Sequence, residues 1–341
     1  MVRLLALVGV ATLSTAASLK WQLLPTHSAQ RFRGLSPVSA ETAWVAGTNG
    51  TVLRTTDGGE TWESVGPPLS VEDVELQYRD VQAFSAEDAV ILSIGEATDS
   101  RIYVTSNGGK SWIQSFTNED SAAFYDCIAF DSPSHGMAMS DPVDGKFRLI
   151  ETNNGGVSWD IVPSDSMPSA LDGEFGFAAS GTCLTTKSER WYLASGGVNP
   201  GRIFSSPNGH DWVVNPSAIA GGGAAGVFSV QFRNTKQGIA VGGDYTVPNI
   251  TANISSWSED GGLTWHASDT FPGGYRSGSS WLPGICDTAI AVGPTGSDIT
   301  LDNGKAWQAF DDGSFDSVEC LPGRVCWASG EDGRVAKLVV A

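Results

Sequence analysis

Three arginines recur at one position of this chain: Arg33 follows Phe32, Arg79 follows Tyr78, and Arg276 follows Tyr275. The same aromatic-plus-one position elsewhere holds Asp126, Gly176, Ser229 and Asp316. A guanidinium fork matches a carboxylate bidentately, so several on one surface suit an acidic peptide tail or an acidic sugar. Asp80, Asp126 and Asp316 are equally placed to neutralise the arginines as internal ion pairs. A second group is acidic. The run SDPVDGKF sets Asp141 and Asp144 beside Lys146. Paired carboxyls held roughly 5 to 10 Å apart do acid–base work on glycosides. More often such a run is a solvated hairpin. Asp126, Asp141 and Asp144 are therefore the candidates for catalysis, and YRSG at 275–278 near Asp298 is a candidate second wall.

Other chemistries lack their residues. The four histidines (His27, His135, His210 and His266) show no metal-ligand spacing, and there is no Cys-x-x-Cys. No phosphate-cradling glycine loop leads from a strand into a helix, and no nucleophile elbow is present. Neither a metal nor a cofactor is expected. The formal net charge of -18 disfavours nucleic acid, whose phosphates attract lysine and arginine.

The elements that position these residues repeat. Six phrases end in tryptophan: Thr55 to Trp62, Thr105 to Trp112, Thr152 to Trp159, Ser205 to Trp212, Ser258 to Trp265 and Thr300 to Trp307. Successive tryptophans are 50, 47, 53, 53 and 42 residues apart, about the size of a four-stranded propeller blade. The aromatic markers precede them, and a seventh, Phe315, follows the last. Between marker and tryptophan lie short β-patterned runs broken by Gly, Asn and Asp turns. The last blade lacks a closing strand, which SLKWQLL near the N-terminus can supply. The expectation is an all-β, seven-bladed β-propeller of four-stranded antiparallel blades, closed by an N-terminal strand in the last blade. Such closure removes free sheet edges.

Each phrase is chemically self-contained. An acid or amide at its third position (Asp57, Asn107, Asn154, Asp260 and Asp302) accepts N–H bonds within the turn. The fifth-position glycine tolerates positive φ, and the tryptophan carries a large apolar face into the core. One carboxylate per turn is too few oxygens for a calcium cage. The fourth phrase, with Pro207 and Asp211, departs most, and its turn is open to question.

These phrases resemble the Asp-box, or bacterial neuraminidase repeat, Ser/Thr-x-Asp-x-Gly-x-Thr-Trp. Among families that share it, the chain resembles the photosystem II stability/assembly factor-like propellers. The resemblance rests on AWVAGTNGTVLRTTDGGETW, AMSDPVDGKFRLIETNNGGVSW, GGYRSGSSWLP and AVGPTGSD. It implies a non-catalytic scaffold for a protein partner, with the boxes as structural turns on the outer rim. Sialidases fit less well: RFRGLSP stands where they carry an Arg-Ile-Pro motif, and no Tyr–Glu nucleophile pair can be placed. Xyloglucanases usually use two propellers.

The N-terminal MVRLLALVGVATLSTAAS has one arginine, an apolar run and small residues at Thr15 and Ala17. It reads as a signal peptide over 1–17, with a single propeller domain over 18–341. No other stretch is long and apolar enough for a membrane span. Asn49, Asn249 and Asn253 open glycosylation sequons, the latter two in the long insertion 244–257. Of five cysteines, Cys320 and Cys326 flank LPGRV and are placed to pair across a hairpin. The expected function is a secreted, monomeric, non-catalytic scaffold. It would bind a protein, peptide or acidic carbohydrate at an arginine-lined mouth through Arg33, Arg79, Asp126, Arg276 and Asp316. The alternative is a secreted sialidase-like glycoside hydrolase using channel carboxylates.

Overall fold

The computed structural model describes residues 19–68 and 75–340. The proposed leader lies outside them. Their strands form seven antiparallel four-stranded sheets, six of them running from an inner to an outer strand in chain order. The inner strands are Phe32–Pro37, Gln77–Ala83, Tyr125–Phe130, Leu184–Lys187, Ala225–Phe232, Gly278–Trp281 and Ser317–Leu321. Second strands such as Ala43–Gly47 and Ala89–Ile94 are almost wholly buried. Both of their faces meet neighbouring blades, so they read as continuous apolar runs rather than alternating ones.

The seventh blade takes its outermost strand, Leu19–Leu24, from the opposite end of the chain, where Leu19 pairs with Val340 and Leu24 with Val335. Trp21 seals it. The ring lies against Phe310 and Phe315, and Nε1 donates to Ser297 Oγ in blade six at 2.9 Å. Trp21 thus does for this blade what the boxed tryptophans do for the others. Trp112 of blade two meets Trp44 of blade one edge-on, and Trp62 of blade one meets Trp327 of blade seven. Truncating a tryptophan in such a seam costs about 3 to 5 kcal/mol.

The boxes are closed turns. In the first, Asp57 accepts from Thr55 Oγ1 and from both the N–H and hydroxyl of Thr61, while Gly59 N–H donates to Thr55 Oγ1. Asp260 repeats this with Ser258 and Thr264. Asn107 and Asn154 accept from Ser111 and Ser158 N–H, and Asp302 accepts from Ala306 N–H. The fourth box is intact but one residue shorter than the sequence alignment assumed. It starts at Ser206, and Asn208 takes the acidic role by accepting from Ser206 Oγ and Asp211 N–H. Trp212 Nε1 then donates to Gly209 O.

The expected Cys320–Cys326 disulfide is formed. A second, Cys127–Cys183, links the inner strands of blades three and four. Cys286 is free and exposed.

Candidate functional site

Blade four is built differently, and this shapes the channel. Its marker Phe175 bridges to Gly196, as a first inner-strand residue should. Regular pairing resumes only at Leu184 with Leu193. Of the eight residues between, the seven at 176–182 cross the channel instead of lining it, and Cys183 O already accepts from Ala194 N–H. Gly176 N–H donates to Asp141 Oδ1 in blade three, and Ala178 O accepts from Arg79 in blade two. Ser180 Oγ donates to Ser277 O in blade six, and Thr182 Oγ1 donates to Ser229 Oγ in blade five. The sequence GFAASGT suits this path, because small side chains pass where several inner strands converge. Gly181 has φ +75°, and an added Cβ would stand 2.4 Å from Asp80 Oδ1. The segment is a plug that leaves one cavity at each mouth.

The first cavity, about 630 Å³, opens where the inner strands begin and includes Arg31, Arg33, Arg79, Asp126 and Asp141 in its walls. Arg33, Arg79 and Asp126 share a local cause for their position. Each occupies a β-bulge just after its aromatic marker, unpaired with the second strand. A bulge re-aims its side chain.

Arg79 keeps its charge unneutralised. Its guanidinium donates to Gln77 Oε1 and Ala178 O, and among the described residues no carboxylate lies within 4 Å. Burial, with Arg33 and Arg31 nearby, pulls its pKa down to about 10. Arg33 is 3.7 Å from Asp316, its Nε is without a hydrogen-bond partner, and burial lowers its pKa too. Asp316 is instead engaged bidentately by Arg31, at 2.6 and 2.7 Å. Arg31 is a wall residue that the marker pattern missed. It stands immediately before the inner strand Phe32–Pro37, two residues ahead of Arg33.

Asp126 and Asp141 meet behind Arg79. Burial and the Asp141 charge raise the Asp126 pKa well above the carboxylate range, and burial lifts Asp141 to about 6. Asp126 is 2% exposed, and its Oδ2 receives no hydrogen bond from another group. A protonated Asp126 is able to donate to the neighbouring Asp141. Asp144 does not join them. It sits at φ 53° with Gly145 in the exposed turn between Val143 and Lys146.

Arg276 also lies outside this cavity, a correction to the expected ring. It is 1% exposed and locked on Asp298, with Nε–Oδ2 2.6 Å, and on Tyr275 O and Thr295 Oγ1. Ser229 is displaced as well. The fifth blade's bulge falls on Phe228, one residue earlier than the marker suggested, so Phe228 faces the cavity. There it stacks on Phe177 at 3.7 Å and meets Tyr275 edge-on at 4.7 Å, with Tyr245 completing an aromatic shelf. Tyr245 and two sequon residues, Asn249 and Asn253, are exposed on the loop that leads into the strand Ser255–Ser258; Asn49 is exposed in blade one.

The opposite mouth holds another cavity of about 630 Å³. Asp80, next to Arg79 in the chain, faces this side. Its two oxygens accept from Val81 and Ile128 N–H, and burial raises it to about 7. Glu319 of blade seven lines the same space. Burial and the Asp80 charge push it to about 8. The sequence reading assigned Glu319 no role.

No protein-family model matches the chain. It is 24% identical over 250 residues to a xyloglucanase of Paenibacillus sp, covering 64% of this chain. It is 38% identical over 91 residues, 25% of this chain, to the photosystem II stability/assembly factor HCF136 of Cyanidioschyzon merolae. These matches span 23% and 20% of the length of the two curated relatives. Among solved structures, YCF48 bound to D1 peptide superposes with TM-score 0.64 at 14% identity over 95% of this chain and 97% of that one. YCF48 from Cyanidioschyzon merolae gives TM-score 0.63 at 17% identity, covering 94% and 98%. An ancestral GH74 enzyme gives 0.65 at 14% identity, covering 92% of this chain and 45% of that one. The resemblance to photosystem II assembly factor-like propellers and the seven-bladed ring are both borne out, and the same ring is shared with xyloglucanase-type propellers.

Proposed function

We propose that this protein is a non-catalytic propeller scaffold that holds an acidic peptide segment of a partner protein in the arginine-lined mouth. The observation that carries this reading is the pair Arg33 and Arg79. Both point into a preformed cavity; among the described residues Arg79 has no carboxylate within 4 Å, and Arg33 reaches only Asp316, at 3.7 Å, which Arg31 already engages bidentately. Buried guanidinium groups of this kind gain most from a ligand that returns the missing counter-charge. The aromatic shelf of Phe177, Phe228, Tyr245 and Tyr275 offers apolar surface for neighbouring ligand side chains. One structural neighbour, YCF48, was solved with a peptide bound, which supports a peptide over a sugar.

The Asp126–Asp141 pair argues against glycoside hydrolysis. The two carboxyls lie close enough for Asp141 to raise Asp126, whereas hydrolases keep theirs roughly 5 to 9.5 Å apart for the sugar bond or a water. The reading also includes export of the chain with cleavage after residue 17, glycans on exposed sequons, and action as a monomer. N-terminal sequencing and mass measurement of the mature protein check these points.

Fluorescence anisotropy with a labelled acidic peptide tests the site. Binding that is lost in Arg33→Ala/Arg79→Ala supports it, and binding unchanged in that variant overturns it. Turnover on a glycan panel, abolished by Asp126→Ala or Asp141→Ala, would establish the hydrolase instead.

A further inference from the structure

The mouth on the far side of the plug carries carboxyls in place of arginines and has no part in the reading above. Its floor carries Asp80 and Glu319, and Leu35, Val81, Ile128 and Trp281 contribute apolar wall. The two carboxyls are not equivalent. Asp80 is 6% exposed and spends both oxygens on backbone N–H groups. Glu319 is only part-buried, and among the described residues neither a hydrogen-bond donor nor a cation pairs with it. The cations near this mouth are engaged elsewhere or stand at its edge: Arg233 pairs with Asp287 at 2.9 Å, and Lys187 is exposed. A carboxyl part-buried in a cavity of mixed polar and apolar wall, with no partner of its own, gains from a ligand that supplies a counter-charge.

The chemistry of that something is narrowed by what surrounds it. Among the described residues no group of three His, Cys, Asp or Glu side chains is placed to hold a metal ion. Asp80 has little lone-pair capacity left, so a divalent cation would find essentially one ligand where it needs several. A compact cation on an apolar stem fits better: the stem covers the aliphatic and indole wall while the head reaches Glu319.

We propose that the acidic mouth binds a primary alkylammonium group, with Glu319 as its counter-ion and the apolar wall holding its stem. Two sources offer that group, a free small amine and the lysine side chain of a partner protein.

Calorimetric titration of the full chain with pentane-1,5-diamine, pentylamine, 1-pentanol and Nα-acetyl-lysine methylamide tests the site. Pentylamine is expected to bind at least about 10-fold more tightly than 1-pentanol, a comparison that needs no variant. Glu319→Gln, which keeps the shape, is expected to weaken amine binding about 10-fold or more while leaving acidic-peptide binding at the other mouth unchanged. Binding of the lysine derivative as well as the diamine points to a partner's side chain, and binding of the diamine alone points to a free amine. Equal amine binding by wild type and Glu319→Gln overturns the proposal, because it would place the amine in the diffuse field of an acidic surface. So does equal binding of pentylamine and 1-pentanol.

Discussion

The two mouths of the channel are lined by the same seven blades, one presenting guanidinium groups and the other carboxyls. Arg79 and Asp80 are adjacent in sequence, yet one lines the arginine cavity and the other the acidic cavity. A bulge separates them, and the 176–182 segment lies across the space between, touching Arg79 through Ala178 and approaching Asp80 at Gly181. Without that segment the opposite charges would share one low-dielectric channel and neutralise each other. A propeller can therefore carry two unlike sites on one axis, provided something fills the middle.

The largest expected effect separates the mouths outright. Arg33→Ala/Arg79→Ala should weaken acidic-peptide binding about 100-fold, from roughly 1.5 kcal/mol per charge-assisted hydrogen bond. Amine binding should stay within about 2-fold of wild type, and titrating both ligands against one preparation checks both halves. Gly181→Val should break the comparison instead. Positive φ and the contact with Asp80 would destabilise the fold by roughly 2 to 3 kcal/mol, measured by denaturant unfolding, with binding at both mouths altered together.

Acidity sharpens the contrast further. Glu319 and Asp80 hold protons in the folded state at pH values where the unfolded chain has released them. Stability should fall as pH rises from about 5 towards 8.5, by on the order of 2 kcal/mol for Glu319. Glu319→Gln should remove that part of the slope, so its melting temperature exceeds wild type at pH 8.5 and approaches it at pH 5. The smallest effect is Asp126→Asn. Burial raises Asp126 well above the carboxylate range, and an amide at that position is neutral like the protonated acid and able to donate to Asp141. Acidic-peptide affinity should then move less than about 2-fold, by anisotropy.

Much of the ring was legible because each blade repeats its own local chemistry. Tryptophan spacing counted six blades, and Trp21 with the last aromatic marker supplied the seventh. The fourth box was misaligned because one deletion shifted Ser206 and Asn208 against the pattern, although the turn tolerates the change. The site was less legible because its deciding features are not periodic. Residues 176–182 read as an inner strand, and nothing local says they leave the sheet. Phe228 was missed because a bulge can move by one residue without changing the strand's apolar pattern. Arg276 looked equivalent to Arg33 until the fold brought Asp298 against it. Cys127–Cys183 joins residues 56 apart, a pairing set by the neighbouring blades.

The strand that completes the seventh blade also sets an order of events. Blades one to six draw their strands from contiguous stretches of chain, so their contacts can form early. Leu19 meets Val340 only after nearly the whole chain has been made and folded. Arg31 follows that strand by a few residues, and its bidentate partner Asp316 begins the same last blade. The arginine mouth is thus assembled at the suture of the ring. Its capacity to bind should appear in refolding with the slowest phase, as a signal that the circle has closed.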